Sequence, residues 1–342
     1  MYSAKILLDS ITPGGARLTT WELTYPRIVH AELMTHRVFS RCSASSRAIP
    51  IEKMIAQVND RPMLPKFWGK NKAGMQAEEE LTGAALVRAQ AIWLEARSDA
   101  VHHARRLKTL GHEGPDKKPF GLHKQISNRL IEPWMFITVI VSSTSFSNWF
   151  KLRHSKLAQP EIGWLAGEMF SRMKASVPTF LPSGQWHMPF LPDRAELEAD
   201  GWRTPEGTDV FSEKDLRAIS AGRVARVSYL NHRGERDPLE DRKLCVERLV
   251  PAGHWSPLEH VAMSMSKDEW NDHVMRSILS QTAPDDGEGP RKGLLSGTGL
   301  FNPMALGNLV GWLQYRKCFD HESGFDFDWE NMPDPYRIAQ AG

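Results

Sequence analysis

The apolar and polar positions of the chain fall into a few short alternating runs and several longer helical ones. Residues 3–9 and 16–24 alternate as half-buried strands do, and Pro13-Gly14-Gly15 between them predicts a turn. Pro26 suits a first helical position. Val29, Leu33 and, one turn on, His36 and Arg37 follow helical spacing, which predicts a short helix opening into a polar loop. In that loop Ser40, Ser43, Ser45 and Ser46 alternate with Arg41 and Arg47, and Pro50 pushes Ile49 toward extended geometry. Residues 51–75 mix Pro, Lys and Gly and read as an irregular excursion. From Gln76 to Leu110 the pattern is helical, with Leu81, Ala85, Ala89, Ile92 and Ala96 as the apolar face and Gly111 as the stop.

A second helix is expected over 119–132, halted at Pro133. Trp134 to Lys151 reads as a buried helix or a helix-turn-helix, with a β-branched run that sits poorly in a helix. Ala158 to Lys174 is helical, with Ile162, Leu165, Ala166, Met169 and Met173 on one face. Residues 178–215 are rich in Pro, Gly, Asp and Glu and read as a linker; Trp186, Phe190 and Trp202 give it apolar anchors. Beyond it, 238–250 predicts a helix through Leu239, Leu244, Val246 and Leu249, and 307–317 a surface helix with an Arg316-Lys317 end. The Gly-rich stretch 284–299 lacks the spacing of a P-loop and reads as a mobile loop over a site, and 325–342 as a peripheral tail. The organisation expected is a half over 1–177, a linker region over 178–215 and a second half over 216–342.

Composition narrows the function classes. With 342 residues and 41% apolar content the chain can bury a large core. A net charge of +2 gives no global field for nucleic acid or a membrane surface. Cys42, Cys245 and Cys318 are far apart, which fits a reducing compartment without structural zinc. The start is not a signal peptide and no apolar run is long enough to span a bilayer, so the expectation is a soluble cytoplasmic protein. No metal site is expected: His102 and His103 lack a third ligand at helical spacing, and His254, Glu259 and His260 do not fit H-E-x-x-H.

Three stretches carry candidate chemistry. The first is Thr35-His36-Arg37, seven residues, Ser45, then Arg47. Hydroxyls and guanidiniums in such a loop suit an anion such as a nucleotide phosphate; composition alone favours a solvated surface loop. The second is Arg129-Leu-Ile-Glu-Pro133, Asn148-Trp-Phe-Lys-Leu152-Arg153 and Ala158-Gln-Pro-Glu161. The third is Ala225-Arg226-Val227-Ser228 followed by His254-Trp-Ser256-Pro257-Leu258-Glu259-His260. Together they resemble the motif blocks of the flavin-dependent thymidylate synthases (the ThyX family): Arg-His-Arg-x7-Ser, Arg-x3-Pro with Asn-x3-Leu-Arg and Ala-Gln, and Ala-Arg-Val-Ser with His-x-Ser/Thr-Pro-Phe-Glu-His.

The resemblance implies an α/β (α+β) fold with a central, mostly antiparallel sheet and long helices. The third block comes first in the family and last here, so the fold would be circularly permuted or part-duplicated. The implied activity is methylation of dUMP at C5 to give dTMP, with FAD as cofactor and methylenetetrahydrofolate and NADPH as co-substrates. Arg153 would stabilise charge on the pyrimidine ring as the catalytic group. Ser45, Arg47 and Arg129 would hold the phosphate, with Glu32 near the nucleotide. His36, Arg37, Ser40, Asn148, Ser228, His254, Ser256 and Glu259 would line the flavin and folate. A homo-oligomer, dimer or tetramer, with sites shared between subunits is also implied, with neither nucleic acid nor membrane as partner.

The departures from the family pattern are Thr35 for the first Arg, Glu32 for Gln, Cys42 and Ser43 for Asn and Glu, and Leu157 for His. Arg316, on a stretch resembling the lead-in to the Arg-His-Arg helix, is a candidate for the missing first Arg. The departures keep open a sibling enzyme that hydroxymethylates the pyrimidine or acts on dCMP. From other classes come a cysteine-dependent synthase with Cys42 as nucleophile, and a non-catalytic nucleotide or single-strand binder using some of the twelve tryptophans.

Overall fold

The computed structural model describes residues 2–113, 118–191, 211–227, 237–282, 307–319 and 322. The predicted hairpin forms from β1 (Ser3–Ile11) and β2 (Arg17–Pro26), paired antiparallel with a register shift between Ile6 and Leu8. Gly15 takes φ +81°, a left-handed conformation that only glycine adopts without strain, and the Thr12 hydroxyl accepts from the Ala16 N–H at 3.1 Å. β6 (Phe136–Ser143) pairs antiparallel with β2, and β3 (Ser40–Ser43) pairs antiparallel with β6 as an edge strand. β7 (Thr179–Phe180) adds to β1 in parallel, so the strand order is β3-β6-β2-β1-β7, while β4 (Gly111–Glu113) and β5 (Lys118–Phe120) form a separate antiparallel pair. The sheet is thus mostly antiparallel in a mixed α/β chain.

The two faces of this sheet have different jobs. Trp21, Leu23 and Tyr25 of β2 and Ile137, Val139 and Val141 of β6 share one face. There they pack against Ile162, Leu165, Ala166 and Met169 of α6 (Pro160–Ala175), the stripe expected from helical spacing. Each large side chain fully buried there contributes roughly 1.5–3 kcal/mol. Alternation sends Thr20, Ile140, Ser142, Ser40 and Cys42 to the other face, where the second half of the chain docks. That half holds a small antiparallel sheet, β10-β9-β8, made of β8 (Trp186–His187), β9 (Ala262–Ser264) and β10 (Trp312–Gln314). Beside it stand α7 (Glu213–Ala225), α8 (Pro238–Lys243) with the π turn Leu244–Leu249 that continues it, and α9 (Lys267–Thr282).

Several expectations are corrected. The polar loop after Arg37 contains β3, because Ser40 and Cys42 find a buried face to pair against. The irregular excursion over 51–75 begins with helix α2 (Ile51–Asp60), whose Ile51, Met54, Ile55 and Val58 are all buried. The long helix α3 starts at Gly83 and ends at Lys108, and its buried residues are Val101 and Ala104, with Trp93 packed beside them. The expected face through Ala85, Ile92 and Ala96 is exposed. The 119–132 helix is a short α4 (Lys124–Ser127) followed by the 3-10 helix Asn128–Trp134, which runs through Pro133. Trp134 to Lys151 is not helical throughout: its β-branched core is strand β6, and only Ser147–Arg153 (α5) is a helix. The expected linker supplies β7 and β8, and 307–317 is strand β10 and the 3-10 helix Tyr315–Cys318 rather than a surface helix. The Gly-rich stretch 284–299 and the tail 325–342 lie outside the described residues.

A chain of hydrogen bonds joins the halves. Ser10 Oγ lies 2.9 Å from His187 Nδ1, and His187 Nε2 lies 2.7 Å from Thr20 Oγ1. Thr20 Oγ1 meets Ser142 Oγ at 2.6 Å, and Ser142 Oγ meets His260 Nδ1 at 2.8 Å. Burial lowers both imidazoles to about 3; the Asp9 carboxylate opposes this at His187 without offsetting it, and His187 adds to it at His260. Both are neutral at neutral pH. They are polar pegs between the two layers, which fixes how the layers sit.

Candidate functional site

Helix α1 (His30–Met34) is short because its apolar anchors run out after Leu33, and Thr35 closes it by donating its hydroxyl to Glu32 O at 2.7 Å. The next residue, His36, is buried, stacked on Phe39 and edge-on to Trp149 of α5. Arg153, the last residue of α5, returns to this turn. Its Nε donates to His36 Nε2 at 3.2 Å, its Nη1 to Glu32 Oε2 at 2.5 Å and its Nη2 to Thr35 Oγ1 at 3.3 Å. Because His36 Nε2 accepts, the ring proton sits on Nδ1. Burial, followed by the charges of Arg153 and Arg41, holds His36 below the usual imidazole range, so it is a neutral acceptor that orients the guanidinium. Thr35 can accept from Arg153, which a second arginine could not. Met34, Val38, Leu152 and Leu157 are exposed apolar side chains on the adjoining turns.

The Ser45-Ser46-Arg47 turn follows β3 and is held from below. Asn128 donates to Ser46 O at 2.6 Å and to Ile49 O at 3.0 Å, and Lys124 Nζ donates to Ala48 O at 3.0 Å. Glu132 gathers the rest: Ser46 Oγ at 3.0 Å, Arg129 Nη1 at 2.8 Å and Arg27 Nε at 2.9 Å. The Arg47 N–H donates to Ser45 Oγ at 3.3 Å, while the Arg47 side chain is exposed. Ser45, Arg47 and Arg129 therefore belong to one cationic, hydroxyl-bearing corner. It stands at the opposite end of β3 from His36, and four strand residues span roughly 13 Å.

The third stretch meets β3 from the docking face. Ser256–His260 is a 3-10 turn with Leu258 and His260 buried, and His254 and Ser256 are exposed. Glu259 pairs with Arg316, which also pairs with buried Glu322 at 2.7 Å. Gln314 Nε2 donates to Glu259 O at 3.1 Å and to Ser40 Oγ at 3.0 Å, and Asn308 donates to Ser40 Oγ at 3.1 Å. Cys42 is buried, its thiol donates to Val224 O at 3.8 Å, and burial pushes that thiol up to about 12. It is a thiol, not a thiolate, at neutral pH.

The predicted residues thus fall into groups around one strand. Glu32, His36 and Arg153 meet on the α5–α6 side; Ser45, Arg47 and Arg129 gather at the far end; Ser40 contacts the Glu259 segment on the docking side. Arg153 and the His254–His260 segment approach β3 from opposite faces of the sheet. Arg37 and Asn148 are exposed, and Ser228 lies outside the described residues. Arg316 does not take the place of the missing first Arg: its partners are Glu259 and Glu322, and Arg153 fills the hydroxyl of Thr35. Sequence reasoning gave no role to Glu132, although it stands inside Arg129-Leu-Ile-Glu-Pro133, and had no signal for Gln314 or Asn308, which bond each other at 2.9 Å and both reach back to Ser40, more than 260 residues earlier. Among the described residues no group of three or more His, Cys, Asp or Glu is placed to hold a metal ion, and no helix is long and apolar enough to cross a membrane. Compared with models of known families, the chain matches none, and none of the curated proteins matches it.

Proposed function

We propose that this chain methylates C5 of a pyrimidine deoxynucleotide, dUMP first, with FAD, methylenetetrahydrofolate and NADPH, as the flavin-dependent thymidylate synthases do. One observation carries the reading: Arg153 is drawn onto His36, Thr35 and Glu32, residues at least 117 positions earlier in the chain, where the resemblance asks for a fixed guanidinium. Addition to a uracil ring places negative charge on its oxygens, and a guanidinium already held in place stabilises that charge without reorganising. Ser45, Arg47 and Arg129 supply hydroxyl and charge for the phosphate, each charge-assisted bond worth roughly 1.5–3 kcal/mol. Met34, Val38, Leu152 and Leu157 supply an apolar rim that keeps water from the base. The bound flavin and folate would supply the hydride and the one-carbon unit.

The donors exposed near β3 suit a flavin pyrophosphate: Arg37 and Asn148 on one side of the strand, His254 and Ser256 on the other. Ser40 and Glu259, engaged by Asn308, Gln314 and Arg316, act as positioning residues. Because the two groups flank an edge strand, a complete site is one that wraps the free edge of β3 or joins two copies. The test is direct. The purified protein is expected to be yellow, to release FAD on denaturation, and to convert dUMP to a product heavier by one methylene. A colourless protein that takes up no added FAD sinks the reading.

The Glu32–Arg153 pair favours one second reading, a sibling that acts on dCMP. A carboxylate accepts from an exocyclic amino group while the guanidinium donates to the ring, an acceptor–donor pair that suits cytosine. Turnover of dCMP alone, lost in Glu32→Gln while binding of the phosphate persists, would select it. A product carrying a hydroxymethyl group would select the hydroxymethylase.

A further inference from the structure

Helix α3 is anchored along one side only. Trp93 donates to Met63 O at 2.9 Å, Arg97 to Asn59 Oδ1 at 2.9 Å, and Val101 and Ala104 are buried. The opposite face is exposed over the whole helix, but its two halves differ. From 98 on it carries Ser98, Asp99, His102, His103, Arg105 and Arg106, as a solvated face should. Before that it carries Ala84, Ala85, Val87, Ala91, Ile92 and Ala96, with Val87 66% and Ile92 54% exposed. The only charges in this half-face are Arg88 and Glu95. They lie two turns apart, roughly 10 Å along the axis, and among the described residues neither enters an ion pair within the chain.

These positions are symmetric about the peptide between Ala91 and Ile92. We infer that this half-face is a two-fold interface on which α3 of a second copy lies antiparallel. A two-fold axis through that midpoint sets Ile92 against Ile92 and Ala91 against Ala91 of the other copy. The same operation brings Arg88 opposite Glu95 of the second copy, twice, so both charges find a partner. It also brings Asp99 of each copy to the first turn of the other α3. That turn has no acidic residue of its own, and Thr82 makes no side-chain cap, so its positive end lacks an internal counter-charge. The small residues let the two backbones approach closely. A contact of about four turns is at the low end of stable interfaces, roughly 1,200 Å² or less, so the pairing is expected to be reversible, with a dissociation constant on the order of micromolar. The surface lies in residues outside the motif blocks and does not depend on the proposed chemistry.

The experiment is sedimentation velocity on the full chain over roughly two decades of concentration around the micromolar. Wild type is expected to show a monomer–dimer equilibrium. Arg88→Glu alone and Glu95→Arg alone each set like charges face to face and are expected to weaken the dimer roughly tenfold or more. The double reversal Arg88→Glu/Glu95→Arg exchanges the partners and is expected to restore it to near wild type. Ile92→Asp puts two carboxylates on the axis and is expected to abolish it. All these positions are exposed, so circular dichroism and melting temperature should stay at wild-type values. A chain that is monomeric throughout, a dimer that ignores the single reversals, or a double reversal no better than either single would each overturn the inference.

Discussion

At the scale of single residues, what distinguishes Arg153 is how completely it is oriented. One imidazole, one carboxylate and one hydroxyl receive its three kinds of nitrogen, and the imidazole is neutral because burial and two guanidiniums disfavour a second ring proton. On the proposed chemistry, Arg153→Lys keeps the charge but loses the planar fork; kcat for dUMP is expected to fall roughly a hundred- to a thousandfold, with KM changed far less. A fall in KM-linked binding alone would place the arginine on the substrate's ground state instead. Cys42 gives the opposite expectation. Its thiol is pushed up to about 12 by burial, so no thiolate forms to attack a ring. Cys42→Ser should retain most of the turnover, and complete loss in a folded variant would revive a cysteine nucleophile. The histidine and arginine of the first motif could be picked out from spacing and residue type. That Glu32 would be the arginine's partner could not, because a carboxylate at that position predicts repulsion from a phosphate and says nothing of a cation arriving from 121 residues away.

At the scale of elements, periodicity served well where one face of an element is apolar and poorly where the partner decides. Helix α6 and the β1–β2 hairpin follow their patterns closely. Strand β6 does not alternate visibly because both its faces are covered, one by α6 and one by the second half of the chain; a strand buried on both sides reads like a buried helix. Strand β3 was hidden by its serines, of which Ser40 is fully buried with Asn308 and Gln314 satisfying its hydroxyl. Helix packing offers a sharp prediction. Gly222 of α7 sits so close to α8 that a Cβ would stand 2.0 Å from Asp241 O and 2.7 Å from its carbonyl carbon. The backbone there cannot give way easily, since the Asp241 carboxylate holds Arg223 at 3.1 Å and Arg226 at 2.7 Å. Gly222→Ala gains about 1 kcal/mol of helix propensity but overpacks a helix contact, so a net loss of roughly 1–3 kcal/mol is expected in a denaturant melt. A variant as stable as wild type would show that the two helices can slide apart.

At the scale of the whole molecule, the union of the two halves rests on His187 and His260, and this makes stability depend on pH. Both have folded pKa values of about 3, below the ordinary value of 6.5. Above pH 6.5 they are neutral in the folded and unfolded chains and contribute no pH dependence. As pH falls from 6.5 toward 3 the unfolded chain takes up protons that the folded chain refuses, so stability is lost through that window. His30, lowered to about 4 by burial and then by Arg27 and Arg41, adds with the same sign. The carboxylate of Asp9, held below its usual range against the pull of burial by bonds from Arg17, Ser176 and Thr19, begins to matter only at lower pH. Melting temperature should therefore fall between pH 7 and 5, and the slope should shrink in His187→Gln and His260→Gln; an unchanged slope would mean that the pair is not what titrates. From the amino acids alone one can read the hairpin, helix α6, the oxygen- and guanidinium-rich turn and the resemblance that groups three distant motifs, because each depends on residues within a few turns of one another. Which strand β3 pairs with, which face of α3 is left bare, where Arg153 lands and how Arg316 is occupied were settled only in three dimensions. A charge or a buried serine takes whatever partner the packing of the halves brings to it, and that partner lies a hundred or more residues away.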